Sequence, residues 1–401
     1  MPGTELFGAE EKKEINDVLE TGILMRYTNE NLRNNHWKAL DFENEVKKIT
    51  QAKFAHAVSS GTAAVATALV AAGIGAGDHV IVPPFTFIAT IEAVLFVGAI
   101  PIFAEIDETL CLSAKGIEDQ ITTQTKAVCL VHMCGEMANM DEILAVIKKY
   151  NLLLVEDAGQ AFAASFKGKS VGLFGVAGAY SFDFFKIATA GEGGIVVTNN
   201  ESIYKICETY SDHGHDHIGS NRGMENHPII GFNFRISELH AAVGVAQTRR
   251  IPSLLAANRK NKLWLKNRLK HIPGVTFSKL VDPDGDSSTF LNILLPSGNE
   301  AIQVVDQLTK AGIGGFNYWF KNMYHFINQW DHLKAMRTAS TLPAQLLGIP
   351  QNYETIELPK SQEVISRLIS FGIKCTWKEE EMENLASWIE KCINNIVIKH
   401  A

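Results

Sequence analysis

The sequence predicts an α/β protein: a large domain on a mainly parallel β-sheet with helices on both faces, then a smaller C-terminal domain. Three observations carry this. Between residues 78 and 157, short continuous apolar runs alternate with helical stretches, the pattern of strands buried on both faces. Two further runs, 172–186 and 194–199, follow with glycines between them. After residue 250 the alternation stops, and Pro252, a basic helical stretch and turn-rich strands replace it. A chain of 401 residues, 46% hydrophobic, has material for two cores, divided here as 1–250 and 251–401.

Taken in order, residues 10–21 carry Ile15, Val18 and Leu19 at helical spacing and read as an outer helix. Residues 26–38 are rich in Asn and Arg, with Tyr27 and Trp37 among them. That stretch reads as a solvated loop, or as a lid offering Arg26, Arg33 or Lys38 to an anion. Ser59-Ser60-Gly61-Thr62 opens an Ala-rich helix. Serine and threonine cap such a start, and its outward N–H groups and positive dipole end suit a phosphate. Strands are expected at 79–83, 102–106, 127–132 and 152–157, with helices at 89–97 and 140–149. Ligands of such sheets gather at the carboxyl ends of strands, where His132 and Asp157 fall. Residues 204–211 and 237–247 read as helices, the second stopping before Pro252. In the last part, a basic helix is expected at 259–271, and strands at 274–277 and 290–295 flank a turn at 282–286. A final helix, 378–397, puts Met382, Leu385, Ile389, Cys392, Ile393 and Ile396 on one side.

Charge and composition narrow the function. The net charge is -7 with both signs interspersed, which argues against nucleic acid as a partner. Residues 1–14 lack the apolar core of a signal peptide, and the weakly polar run 63–77 is too short to span a bilayer. Six scattered cysteines read as reduced thiols of a cytoplasmic protein. No metal is expected.

The most telling stretch is Ala179-Tyr180-Ser181-Phe182-Asp183-Phe184-Phe185-Lys186, followed by a glycine-rich turn to Gly194. Apolar neighbours strip water from a lysine and push its amine toward the neutral, nucleophilic form. That form condenses with carbonyls. Read alone, the octapeptide fits a surface lysine beside a turn equally well. What changes the reading is Glu156-Asp157-Ala158-Gly159-Gln160-Ala161 upstream, where a strand ends in acids.

Five blocks stand in order: Ser59 to Ala64, Pro83-Pro84-Phe85-Thr86-Phe87, Glu156 to Ala161, Ser181 to Gly194, and Gly231-Phe232-Asn233-Phe234-Arg235. Together they resemble the DegT/DnrJ/EryC1/StrS family of pyridoxal-phosphate-dependent sugar aminotransferases. The resemblance implies the aspartate-aminotransferase-like fold (fold type I), whose large domain has a mainly parallel seven-stranded sheet. It implies a cofactor phosphate at Gly61, Thr62, Ala63 and Ser181, with the ring stacked on Phe87. Asp157 would meet the pyridine nitrogen and Gln160 the ring hydroxyl. Lys186 would hold the cofactor and then move the proton at the substrate carbon. A branch that dehydrates sugars has histidine there, so lysine favours amino transfer. Asn233 would reach the phosphate of a neighbouring subunit, which implies a homodimer with shared sites. Two departures stand out: Gly159, where the family often has Ala or Cys, and the long 26–38 stretch. The turn at Asp212-His213-Gly214 belongs to the family without a metal, despite the nearby His215 and His217.

Residues 100–113, 130–135, 211–219 and 317–320 resemble one narrow branch of that family. That branch aminates the C8 aldehyde of an oxidised 3-deoxy-manno-octulosonate for lipopolysaccharide, with glutamate as donor. Such a substrate is a free sugar acid whose carboxylate lies far from the reacting carbon. It needs a cation, and Arg26, Arg33, His215 and Arg222 are the candidates, arginine suiting a carboxylate through its planar fork. The alternatives are a nucleotide-linked keto-sugar as acceptor, or a non-catalytic cofactor-binding regulator. Retention of Lys186 with Asp157 and Gln160 argues against the regulator.

Overall fold

The computed structural model describes residues 2–219 and 221–397. Its large sheet contains β1 (Phe54–Val58), β2 (His79–Val82), β3 (Ile100–Phe103), β4 (Thr125–Val131) and β5 (Leu153–Asp157). A small separate hairpin, β6 (Ser165–Phe166) and β7 (Lys169–Ser170), precedes β8 (Ala177–Ser181) and β9 (Gly194–Thr198) of the same large sheet. The order is β1-β9-β8-β5-β4-β2-β3. The five strands from β3 to β8 are parallel, β9 pairs antiparallel with β8, and β1, antiparallel to β9, runs in the same direction as the five. Strands β2 and β3 are buried along their whole length, as continuous apolar runs require.

Several boundaries differ from expectation, each for a physical reason. Strand β3 ends at Phe103, because Ile106 turns away to bridge Leu112. Strand β8 is only Ala177–Ser181, and the chain beyond it leaves the sheet as the loop that carries Lys186. Strand β1 lacks a clear apolar signature because His56 interrupts it. That ring is buried and bonds the Ser211 hydroxyl at 2.6 Å. Pro252 starts a helix, Ile251–Leu269, where a missing N–H costs nothing. That helix links two cores, Ile251 and Leu254 lying in the large one and Leu265 and Leu269 in the small one.

The small core surrounds an antiparallel sheet of β10 (Thr276–Phe277), β11 (Phe290–Leu294), β12 (Phe316–Asn317) and β13 (Leu368–Gly372), ordered β10-β11-β13-β12. The helices Gly298–Lys310 and Glu379–Val397 pack against it. Between β12 and β13 the chain returns to the large sheet. Phe326 bridges Phe85, the N–H of Ile327 bonds the Pro84 carbonyl at 2.9 Å, and Gln351 accepts from the Phe103 N–H at 2.7 Å. This arm thereby packs at the carboxyl ends of β2 and β3. Among the described residues, no helix is long and apolar enough to cross a membrane.

Lys262 ties the two parts together. Its buried amine lies 2.5 Å from Asp286 and 3.4 Å from Glu136. Glu136 also accepts from Ser278 and Asn292, both at 2.7 Å. Removing one member of a buried ion pair strands the others, at about 3–5 kcal/mol. Lys262→Met should therefore lower the unfolding free energy by about that amount, read as a lower denaturant midpoint at unchanged slope, and an unchanged midpoint would show that the acids are neutralised in another way.

Candidate active site

The site is assembled at the carboxyl end of the sheet from chain segments far apart in sequence. Ser60 caps the helix Gly61–Ala71, its hydroxyl accepting from the Ala63 N–H at 3.0 Å. The N–H groups of Gly61 and Thr62 have no partner among the described residues. Gly61 lies against the end of β8: a Cβ at residue 61 would come within 2.6 Å of the Ser181 Cβ and 2.8 Å of its hydroxyl. Two free N–H groups, a helix dipole and a serine hydroxyl thus meet in a cradle for a phosphate.

Asp157 ends β5 beside this cradle. Its carboxylate accepts from the Thr90 hydroxyl at 2.7 Å and from the Gly159 N–H at 3.0 Å, so two neutral donors orient it. Thr90 in turn bonds the Thr86 hydroxyl at 2.8 Å. Gly159 packs tightly, since a Cβ there would stand 3.0 Å from Asp157 and 3.4 Å from the Ser181 Cβ. Gln160 accepts from the Cys134 N–H at 3.1 Å, which fixes its amide group and leaves the NH₂ for a ligand.

Lys186 sits half-buried in the loop after β8, in a turn closed by its N–H on the Asp183 carbonyl at 3.0 Å. Burial pushes its amine below the ordinary lysine range, while the charges of Asp183 and Asp157 partly restore it. Phe87 remains 43% exposed, with its ring 5.3 Å from that of His325. His325 is pushed down to about 3 by burial and then by the Lys186 charge. Lys186 therefore lies in the field of Asp183 and Asp157, and its own charge reaches His325.

The expected substrate cations are not free. Arg26 is buried with Glu43 at 2.8 Å and bonds the Ala57 carbonyl. Arg33 is fully buried, donating to the carbonyls of Met25, Tyr27 and Thr28, lying over Trp37 and facing Glu238 at 3.7 Å. Lys38 lies between Glu14 and Asp17 at 2.5 and 2.6 Å. The 26–38 stretch is thus a folded strap, and the expectation of a cationic lid is corrected: internal acids hold its charges. Its asparagines serve the backbone, with Asn29, Asn34 and Asn35 at positive φ. Arg222 is likewise committed, its fork on Asp212 at 2.7 and 2.5 Å, and His215 lies 2.9 Å from Glu225.

Other expectations shift in detail. The Ala63 N–H is already used by Ser60, so the free donors are those of Gly61 and Thr62. His132 is fully buried and 3.1 Å from Glu156, a structural contact rather than a ligand-facing one. His217 stacks on Tyr27 at 4.3 Å and faces Asp212 at 3.6 Å. Asn233 is exposed on the loop after Asp212, its side-chain Oδ1 accepting from the Arg235 N–H at 3.3 Å, apart from the cluster around Lys186. Thr90 and His325 are site residues that the sequence reading did not assign. Thr90 lies three residues beyond the block that ends at Phe87, and His325 five beyond residues 317–320, so position was the only available signal.

The sequence profile of the DegT/DnrJ/EryC1/StrS aminotransferase family matches residues 6–369. The GDP-perosamine synthase of Escherichia coli O157:H7 is 39% identical over 220 residues, 55% of this chain and 59% of that protein. The GDP-perosamine synthase of Caulobacter vibrioides is 38% identical over 234 residues, 58% of this chain and 62% of that protein. The chain thus aligns with about three-fifths of the length of these two relatives. Among solved structures, an aminotransferase from Psychrobacter cryohalolentis superimposes with a TM-score of 0.83 at 28% identity, covering 97% of this chain and 98% of that one.

The desolvation of Lys186 has a measurable sign. Burial disfavours the charged amine, so it should lose its proton below the ordinary lysine value of about 10.4. In a 15N-lysine titration of the cofactor-free protein, the resonance absent from Lys186→Met should titrate below that value. Titration at or above it would contradict the desolvated site.

Proposed function

This chain belongs to the DegT/DnrJ/EryC1/StrS aminotransferase family, and we propose that it is a pyridoxal-phosphate-dependent sugar aminotransferase using glutamate as donor. The observation that carries the reading is a desolvated Lys186 in the field of Asp157, beside a helix N-terminus kept open by Gly61.

The residues fit the cofactor. The cradle at Gly61, Thr62 and Ser181 offers donors where a side chain at residue 61 would have filled the space. Phe87 exposes an aromatic ring for stacking. Asp157, oriented by Thr90, would hold the proton of the pyridine nitrogen, and the NH₂ of Gln160 would reach the ring hydroxyl. When bound, pyridoxal phosphate supplies a carbonyl and an electron-accepting ring that carry the amino group between substrates. Lys186 would hold the cofactor through that carbonyl, and once released its neutral amine would move a proton from the donor's α-carbon to the cofactor in one half-reaction and from the cofactor to the acceptor carbon in the other.

Asn233 would complete the phosphate site of a second copy, giving a homodimer. Its loop exposes Met224, Ile230 and Phe232, an apolar face that a partner would cover.

The acceptor we favour is the C8 aldehyde of a free 3-deoxy-manno-octulosonate, supported by the likeness of residues 100–113, 130–135, 211–219 and 317–320 to that branch. With Arg26, Arg33, His215 and Arg222 all paired internally, the sugar carboxylate needs another cation. The likeness to the two GDP-perosamine synthases favours the second reading, a nucleotide-linked keto-sugar.

Half-reactions separate these readings. The protein aminated by glutamate should convert the free aldehydo-octulosonate faster than GDP- or UDP-linked keto-sugars, and the reverse order selects the second reading. Asp157→Asn should lose at least a charge-assisted hydrogen bond, about 1.5–3 kcal/mol, from both half-reactions. Wild-type rates in that variant would remove Asp157 from the site.

A further inference from the structure

His325 lies outside every motif that pointed to the cofactor, yet the fold holds it firmly in the site. Its carbonyl accepts from the Thr86 N–H at 3.0 Å, and the neighbouring Tyr324 carbonyl accepts from the Ile88 N–H at 2.9 Å. The arm from the small domain is thereby stitched to the segment that bears Phe87. The imidazole stands 5.3 Å from the Phe87 ring and edge-on to Trp319 at 4.7 Å. Trp319 is itself anchored, its buried indole N–H bonding Ser370 at 2.7 Å.

The hydrogen bonds determine the tautomer. His325 Nδ1 is 2.8 Å from Asn322 Oδ1. The same oxygen accepts from the Tyr324 N–H at 3.0 Å, which identifies it as the carbonyl end of the amide. A carbonyl oxygen only accepts, so Nδ1 carries the hydrogen. In the neutral ring Nε2 then presents a lone pair, and no partner for it exists among the described residues. Burial and the Lys186 charge keep the ring neutral. Such an imidazole is too weak a base to take a proton from carbon near neutral pH, and Nε2 has no proton to give. It can accept a hydrogen bond.

The two substrates of the proposed reaction differ in what they can donate. Glutamate offers carboxylates, which only accept, and the amine that is itself transferred. A sugar offers hydroxyls. We infer that His325 is a specificity residue for the acceptor half-reaction, its Nε2 accepting a hydrogen bond from the sugar hydroxyl next to the reacting carbonyl. The inference rests on the sugar-aminotransferase reading above and adds the residue that distinguishes the two substrates.

The test measures each half-reaction separately, with glutamate and with both acceptor probes, the free aldehydo-octulosonate and a GDP-linked 4-keto-sugar. His325→Phe keeps a flat ring against Phe87 and Trp319 but removes the acceptor. It should lower kcat/KM for whichever sugar the wild type aminates by about tenfold to a hundredfold, through KM, as expected when a substrate hydroxyl loses its partner. The glutamate half-reaction should stay within about twofold, since its donor is the reacting amine. His325→Gln, which restores a carbonyl acceptor, should recover part of the loss. Asn322→Ala, which frees the tautomer while leaving the ring, should fall in the same direction by less. An acceptor lacking that hydroxyl should react equally with wild type and His325→Phe. Equal losses in both half-reactions would overturn the inference by placing the effect on Lys186, and so would an unchanged sugar half-reaction. Wild-type protein that takes no amino group from glutamate would overturn the aminotransferase reading and this inference together.

Discussion

The site depends on one close approach. The backbone of Gly61 lies so near Ser181 that any side chain at residue 61 would collide with it, a Cβ falling 2.6 Å from the serine Cβ. That contact brings a helix N-terminus onto the end of β8, and much of the site follows from it. Gly159 repeats the device between Asp157 and Ser181, and Gly194 does so against the Ser60 carbonyl. Missing side chains let the ends of β1, β5, β8 and β9 converge, where larger residues would hold them apart. The donors of the cradle and the carboxylate of Asp157 are thereby positioned before any ligand arrives, which spares reorganisation when one binds.

Charge follows an equally strict logic, with one exception. Buried cations in this protein sit on acids: Arg26 on Glu43, Arg33 near Glu238, Lys38 on Glu14 and Asp17, and Lys262 on Asp286 and Glu136. Asp212 gathers Arg222, Arg235 and His217. Burying an unpaired charge is costly, so these pairings are what permit the strap at 26–38 and the loop after β9 to fold. Lys186 departs from the pattern: no acid lies within ion-pair distance among the described residues, and burial outweighs the field of Asp183 and Asp157. A desolvated lysine without a close counter-ion is poorly suited to holding a fold together and well suited to attacking a carbonyl.

The parts of this arrangement readable from sequence are those written in local pattern. Continuous apolar runs marked β2, β4 and β5, and the serine-capped start at Gly61 marked the cradle, because both signals lie within a few residues. The strap is the counter-example. Arg26 and Arg33 look like free cations until Glu43 and Glu238 are placed beside them, and Glu238 lies more than two hundred residues from Arg33. Strand β1 was hidden by a buried histidine whose partner, Ser211, lies 155 residues away. His325 was missed for a related reason. Its segment has neither helical nor strand periodicity, and its significance comes only from pairing with the backbone at Thr86 and Ile88. Pro252 belongs with the legible parts: the helix Glu238–Arg249 stops before it, as the local rule for proline requires, and the next helix begins around it.

The central claim is that Lys186 is the residue that holds the cofactor, and covalent trapping tests it most directly. The protein incubated with pyridoxal phosphate, reduced with borohydride and digested should yield a single modified peptide, labelled at Lys186. The Lys186→Met variant treated in the same way should remain unlabelled. A label on a different lysine, or none on the wild-type protein, would contradict the account.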